Sequence, residues 1–418
     1  MGFGTLVKRI YSARPKNPLF LYFCMMFLFF MLFDVIITYV VPLLVLEQGY
    51  SKTLVGIIFS TAAVSGAFYS FALYKIFKKA YYRLLFTFMF LVSLIYCFVI
   101  WSAHAFILFV IGMIMWGFFY SLLNFGTLDF YSRFIPEDEM SAKFGILEAF
   151  RALGCLIAPL IAGFLVVDKV VGWEPFGTAL VFLSISAFFF LLLLREAGGV
   201  KQFIPSVESY SKRGFYEEIR SWKRVGGCIF PLLFLIAVST LNDAFFITLG
   251  PIVAERLIFE PFDGLFMTAY FAPLLFIGAF IGPITKVFGE KMTVIIGLFI
   301  GSVILATISF IENPIIIILV VFASACFTCL ATPIANSISA NYIQAAPDAK
   351  KEVLELKDFF FNIGYIIGPI AAGIMADTVG AIQAFSVLGV VGILFAGILF
   401  FIMPDKYESS SPPQETGN

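Results

Sequence analysis

Charge is scarce in this 418-residue chain: 27 Lys and Arg with 27 Asp and Glu make up 13% of it, against 61% hydrophobic residues. So little charge cannot cover a soluble globule of this size, and the mean hydropathy of +1.00 points the same way, to a membrane protein. Histidine occurs once, as His104 on a turn between apolar runs, so no histidine-based metal site can be assembled. All six cysteines (Cys24, Cys97, Cys155, Cys228, Cys326 and Cys329) lie in or beside apolar runs, and a disulfide framework is not indicated. Cys326 and Cys329 have C-x-x-C spacing, but inside a transmembrane helix they read as packing residues. Also missing are a nucleophile elbow, a phosphate-cradling glycine loop and paired metal ligands. The sequence therefore points away from an enzyme, and neither cofactor nor bound metal is expected. The first apolar run is too long for a cleavable secretion signal and lacks a small-residue cleavage site.

What the chain has instead is apolar runs of about 20 residues or more, each enough at 1.5 Å per residue to cross a hydrocarbon core of about 30 Å. Twelve are read, over residues 19–46, 53–76, 82–102, 105–127, 144–167, 174–195, 228–251, 264–285, 292–311, 314–338, 356–376 and 379–403. Positive charge gathers at Lys8, Arg9, Arg14 and Lys16, at Lys75, Lys78, Lys79 and Arg83, and between Arg195 and Arg224. The opposite loops offer Lys52, Lys169 and Arg256, so both termini are expected in the cytoplasm of a multi-pass protein of the plasma or inner membrane.

The chain also repeats itself. Asp34 and Asp243 each precede a proline by eight residues (Pro42 and Pro251). Gly154, Pro159 and Gly163 recur as Gly364, Pro369 and Gly373, and Lys75 answers Lys286. Three separated anchors keep nearly one register, as a duplication requires. The expected organisation is a six-helix bundle over 1–195, a cytoplasmic linker over 196–227, a second bundle over 228–404 and a disordered tail over 405–418. The linker's "FYEEIRSWKRV" reads either as a solvated connection or as an amphipathic helix on the inner leaflet with Phe215, Ile219 and Trp222 toward lipid.

Charges inside the bilayer carry most of the functional signal, since each costs about 2.5–3.5 kcal/mol at mid-helix. Asp34 and Asp243 fall at equivalent points of the two halves, where a carboxyl must face a cavity or the opposing half. Each suits a role in proton or substrate coupling; each also suits a neutral carboxyl hydrogen-bonded to Thr38, Asn242 or Thr248. Glu148 and Arg151, three apart on one helix face, read as a local ion pair or as substrate-handling groups. Asp129 and Arg133 read as a structural pair near the headgroups. Trp116, Tyr120, Asn124, Asn336, Asn362 and Tyr365 are polar at plausible cavity depth, although helix-to-helix hydrogen bonding would account for each alone.

Twelve spans, a basic linker after the sixth and duplicated motifs together resemble the major facilitator superfamily over essentially the whole chain. That resemblance implies two pseudo-symmetric six-helix bundles around a central cavity, an all-α membrane fold. The family's loop signature G-x-x-x-D-x-x-G-R-K is partly kept: Gly282, Gly289 and Lys291 fit in the second half, while Lys286 stands at the aspartate position. In the first half Phe71, Lys75 and Lys78 replace glycine, aspartate and glycine, and Lys79 fits the arginine position. Spans two and eleven, and five and eight, pack together in that fold. Lys75 with Asp358 and Lys286 with Glu148 are therefore expected as a cytoplasmic gate that closes when the cavity faces out. Span five is similar to the family's antiporter signature through Gly145, Gly154, Pro159 and Gly163, with Ala158 and Ala162 at two glycine positions. The mid-span-four arginine of many such antiporters is missing, and Arg151 could supply that charge.

The expectation is thus a secondary transporter working by alternating access, exporting a small hydrophobic or cationic organic solute in exchange for protons. Expected partners are the small-molecule solute, protons or sodium, and the bilayer, with no nucleic acid, for a chain acting as a monomer. A proton-coupled symporter of sugars or small metabolites, a metal-ion exporter and a non-transporting scaffold or receptor subunit stay open as other readings.

Overall fold

In a bilayer every backbone polar group must be satisfied within the protein, and an apolar chain meets that demand by folding into helices. The computed structural model describes residues 18–76, 81–166, 172–198, 215–257, 263–346 and 349–404. The first half contains α1 (Pro18–Glu47), α2 (Lys52–Ile76), α3 (Tyr82–Trp101), α4 (Phe106–Phe134), α5 (Glu137–Val166) and α6 (Glu174–Ala197). The second contains α7 (Phe215–Leu257), α8 (Leu265–Phe271), α9 (Pro273–Ala306), α10 (Pro314–Thr328), α11 (Ala331–Ala345), α12 (Lys350–Thr378) and α13 (Ala381–Ile402). Among the described residues eleven helical stretches are long and apolar enough to cross a membrane, with a shorter apolar stretch over Leu265–Gly278.

The expected eighth and ninth spans, 264–285 and 292–311, are divided where the reading divides them, although α9 runs across the gap between them. Pro273 begins a new helix after α8, and α9 runs on to Ala306 through Gly289, whose φ of 74° and ψ of 162° break the helix. That left-handed φ is open to glycine at little cost. The eighth crossing is therefore α8 with the part of α9 before Gly289, and the ninth is the part after it. The tenth is likewise α10 and α11, bent between Thr328 and Ala331.

The linker helix is corrected. Residues from Phe215 onward are continuous with the seventh crossing in α7 rather than lying on the leaflet. Trp222 turns toward protein: its indole N–H donates to Glu355 of α12 at 3.0 Å, and its ring sits 5.8 Å from that of Phe359. A half-buried indole gains from a partner for its N–H, and α12 provides it. The side chains of Phe215 and Ile219 lie outside the described residues, as do those of Lys78 and Lys79.

The duplication is written in the contacts. Within each half the repeated glycine of the fifth or eleventh crossing lets the first or seventh approach: a Cβ on Gly154 would lie 2.7 Å from Met31 Cβ, and one on Gly364 2.8 Å from Thr240 Cβ. Between the halves the repeated proline does the same. A Cβ on Gly264 would lie 1.9 Å from the Pro159 carbonyl oxygen, and one on Gly56 2.0 Å from that of Pro369. Small residues allow this backbone approach where lipid provides no hydrophobic drive to bring helices together. Both seams, α5 against α8 and α2 against α12, lie at the end of the bundle away from the 196–227 connection, here termed the distal end; the other is the linker end.

At the distal end the α2–α12 seam carries a polar latch. The Asp377 carboxylate accepts hydrogen bonds from the backbone N–H of Lys52 (3.2 Å) and Thr53 (2.8 Å) and from the Thr53 hydroxyl (2.7 Å). Lys52 Nζ lies 3.5 Å from the same carboxylate and donates to the Ala376 carbonyl at 3.3 Å. An acid at a helix N-terminus and an ammonium at a helix C-terminus both complement the helix dipoles. Asp377→Ala removes every acceptor at once, and hydrogen bonds to charged groups contribute about 1.5–3 kcal/mol each before solvent exposure is discounted. The expected result is a roughly tenfold loss of the distally closed population. Spin labels on Ser102→Cys and Glu312→Cys, in a chain whose exposed Cys228 is replaced by serine, report it as a longer distance.

Candidate functional site

Asp34 lies midway along α1 and is 2% exposed, with a donor on each carboxylate oxygen. Trp116 Nε1 donates to Oδ1 at 2.7 Å and the Tyr120 hydroxyl to Oδ2 at 2.6 Å. Both partners come from α4, one turn apart, with ring centroids 4.9 Å from each other. Helical spacing is what lets two residues four apart reach the two oxygens of one carboxylate. The hydrogen bonds expected from Thr38, Asn242 or Thr248 are not those formed. The Thr38 hydroxyl is buried without a partner among the described residues, and the Thr248 hydroxyl donates to the Ala244 carbonyl of its own helix, the local bond open to a helical threonine. Asn242 donates to Tyr270 rather than to a carboxylate.

Asp243, midway along the membrane part of α7, accepts from the Tyr270 hydroxyl of α8, and Asn242 Nδ2 donates to that hydroxyl oxygen at 3.3 Å. The Tyr270 ring stacks on Phe246 at 3.9 Å and 11°. The two aspartates are equivalent in the repeat but are served by different helices. The repeat register puts Leu330 opposite Tyr120 and Thr61 opposite Tyr270, so neither tyrosine has a counterpart. Tyr270 was not among the residues singled out from the sequence. The available signal was local: between Gly264 and Pro283 only Thr268 and Tyr270 carry hydrogen-bonding side chains.

Glu148 and Arg151 lie on the linker side of this centre. Arg151 Nη1 donates to Glu148 Oε1 at 3.0 Å, with the two side chains 42% (Glu148) and 35% (Arg151) exposed. Arg151 is within electrostatic reach of Asp34 and Tyr120 in its own half and of Tyr365 in the other, and Tyr365 is also within reach of Asp243. The two aspartates, Arg151 and the tyrosines 120, 270 and 365 are thus brought toward one region between the bundles. The remaining polar residues sit nearer the linker end. Asn124 is exposed, Asn336 accepts from Lys357 Nζ at 2.5 Å, and Asn362 Nδ2 donates to the Asp358 carbonyl at 2.8 Å. Lys357 is a half-buried cation that was not singled out from the sequence, because it borders the start of the span predicted at 356.

Of the two expected gate contacts, the one between Lys286 and Glu148 is not formed in this arrangement. Lys286 is exposed and makes no ion pair among the described residues, Glu148 being engaged with Arg151. The Lys75 side chain lies outside the described residues. The bonds that Lys52, Thr53, Ser60 and Thr268 make to the opposite half all fall on the distal side: Ser60 donates to the Ile366 carbonyl at 2.6 Å and Thr268 to that of Leu156 at 3.1 Å. The Asp129–Arg133 pair closes at 2.8 Å, and Asp129 also accepts the Tyr82 backbone N–H at the start of α3. Among the described residues no group of three His, Cys, Asp or Glu side chains is placed to hold a metal ion.

Residues 232–418 match the sequence model of the Major Facilitator Superfamily. An uncharacterised MFS-type transporter of Methanocaldococcus jannaschii is 28% identical over 127 residues, a match that spans 30% of this chain and 32% of that relative. Among solved structures the nucleoside transporter NupG is similar with a TM-score of 0.69 at 14% identity, over 93% of this chain and all of that one. A bacterial homolog of the human lysosomal transporter Spinster, inward-facing and unoccupied, gives 0.71 at 14% identity, over 93% and 97%. A POT family transporter in complex with 5-aminolevulinic acid gives 0.70 at 15% identity, over 91% and 95%. These structures speak to the fold alone, and that fold agrees with the doubled bundle, its paired seams and the family match over residues 232–418.

Proposed function

We infer that the protein is a secondary active transporter that exchanges a small hydrophobic or cationic organic solute for protons by alternating access. The observation that carries the reading is Asp34: an acid at mid-membrane depth, both oxygens held by Trp116 and Tyr120, within electrostatic reach of Arg151. A carboxylate kept at that depth needs a function to offset its cost. Two aromatic rings and a carboxylate suit a cation with an apolar body, and a proton and such a cation would compete for the same charge. Competition for one carboxylate gives exchange. With the linker end cytoplasmic, as the distribution of Lys and Arg favours, the distally closed arrangement is the inward-facing state, and Lys75–Asp358 with Lys286–Glu148 close the cytoplasmic side in the opposite one.

The test is transport in proteoliposomes under an imposed pH gradient, with a panel of lipophilic cations, neutral amphiphiles, sugars and divalent metals. Asp34→Asn is expected to abolish gradient-driven accumulation of the transported solute while solute-for-solute exchange persists. Gradient-driven transport unchanged in Asp34→Asn would remove the proton from this site. Accumulation of sugars alone would favour the symporter reading.

A further inference from the structure

The short helix α8 is held at both ends of one turn. Toward the centre of the molecule Tyr270 donates to Asp243. Two residues earlier, the Thr268 hydroxyl donates to the Leu156 carbonyl of the opposite half at 3.1 Å, and Gly264 lies against the Pro159 backbone of that half. Pro273 removes one backbone N–H just after this turn, which makes the junction of α8 and α9 a place where the crossing can bend.

We propose that Tyr270 is a positioning residue that couples the charge on Asp243 to the distal seam: loss of that charge releases α8, and α8 releases α5 of the other half. The proposal rests on the transporter reading, in which a proton or a cationic solute neutralises a central carboxylate. An ionised carboxylate holds a phenol roughly twice as strongly as a neutral acceptor does, so neutralisation weakens the strongest of the contacts that tie Tyr270 of α8 to α7, beside the Asn242 hydrogen bond and the Phe246 stack. The groups within electrostatic reach of Asp243 are Tyr270 on α8, Tyr365 on α12 and Cys329 at the junction of α10 and α11. None of these three is a cation. Asp34 has no such lever, because both its partners lie on α4 of its own half. The two aspartates therefore divide the work: Asp34 meets the solute and Asp243 moves the seam.

The experiment is a double-mutant cycle on the distal distance between labels at positions 102 and 312, read without any transport assay. Asp243→Asn is expected to raise the distally open fraction at least fivefold, and Tyr270→Phe to raise it similarly. In the Tyr270→Phe background Asp243→Asn should then add less than a factor of two, because the link is already cut. Thr268→Val breaks the other end of α8, so in that background too the effect of Asp243→Asn should shrink; this variant decides the matter if Tyr270→Phe folds poorly. Asp34→Asn should keep its own effect in either background. Full, multiplicative effects of Asp243→Asn in both backgrounds, or no effect of Asp243→Asn at all, overturn the proposal. A purely structural Tyr270 would lower stability without silencing Asp243. Should the cycle hold while no proton-driven transport is found, the coupling stands and the transporter reading fails separately.

Discussion

Gly264→Ala is expected to force the distal end open. The added methyl would sit 1.9 Å from the Pro159 oxygen, 2.5 Å from its carbonyl carbon and 2.8 Å from Leu160 Cα. All three are backbone atoms, so no rotamer change relieves the overlap. They belong to the opposite half, which leaves rigid-body separation of the halves as the route of least cost. Gly264 itself has φ of −61°, so alanine is not strained by its own backbone, and the effect is purely one of space. Overpacking of this kind costs about 1–3 kcal/mol, which is roughly a fivefold to 150-fold shift from closed to open. The label pair at 102 and 312 should lengthen, and net transport should fall as the closed state becomes rare. Gly145→Ala is the control: it also falls on the signature of the fifth crossing, yet its added Cβ meets nothing within 4 Å. An unchanged distance in a folded Gly264→Ala protein would show that α5 and α8 are not a closing surface.

The contrast between those two glycines shows where the sequence was readable. Composition and span length fixed the solvent and hence the helices, because lipid leaves the backbone few alternatives. The offset between Gly154–Pro159–Gly163 and Gly364–Pro369–Gly373 announced two equivalent halves. It did not distinguish glycines that meet another backbone, as Gly163 does, from one that faces open space, as Gly145 does, since that depends on which crossing lies opposite. The break at Gly289 was legible, because Lys286, Glu290 and Lys291 interrupt the apolar run there; the backbone dihedral adds only the residue at which the helix ends.

The centre of the molecule was legible in part. Asp34 and Asp243 stand out because an acid in an apolar run is rare and costly. Their partners do not stand out, because tyrosine and tryptophan are ordinary members of apolar helices. Trp116 and Tyr120 were visible as polar groups at the right depth, but nothing in their spacing says that they converge on one carboxylate. Tyr270 breaks the repeat, so the duplication gives no sign of it. Lys357 was hidden by its place at the edge of a predicted span, where a cation is usually unremarked.

Trp116→Phe with Tyr120→Phe is expected to cost more stability than either change alone suggests, and a third substitution is expected to restore it. The double variant strands a buried carboxyl with neither donor, and breaking a buried charged network from one side costs about 3–5 kcal/mol. Asp34→Leu by itself has the opposite fault, because it leaves the indole N–H and the phenol O–H without an acceptor at about 1–3 kcal/mol each. Joining all three replaces a polar cluster by apolar groups of similar bulk, which is nearly neutral in a protein interior, and in a membrane helix it also removes the insertion cost of the acid. Unfolding of purified protein in detergent should therefore rank the triple variant above both the double variant and Asp34→Leu. Gradient-driven transport should be absent from all three. A triple variant no more stable than the double would mean that Asp34 is held by groups other than Trp116 and Tyr120. A triple variant that still accumulates solute against a gradient would mean that the acid is kept for packing. Recovery of the fold without recovery of transport is the outcome that assigns the Asp34 carboxylate to function, since a chain selected for stability alone would have no use for it at that depth.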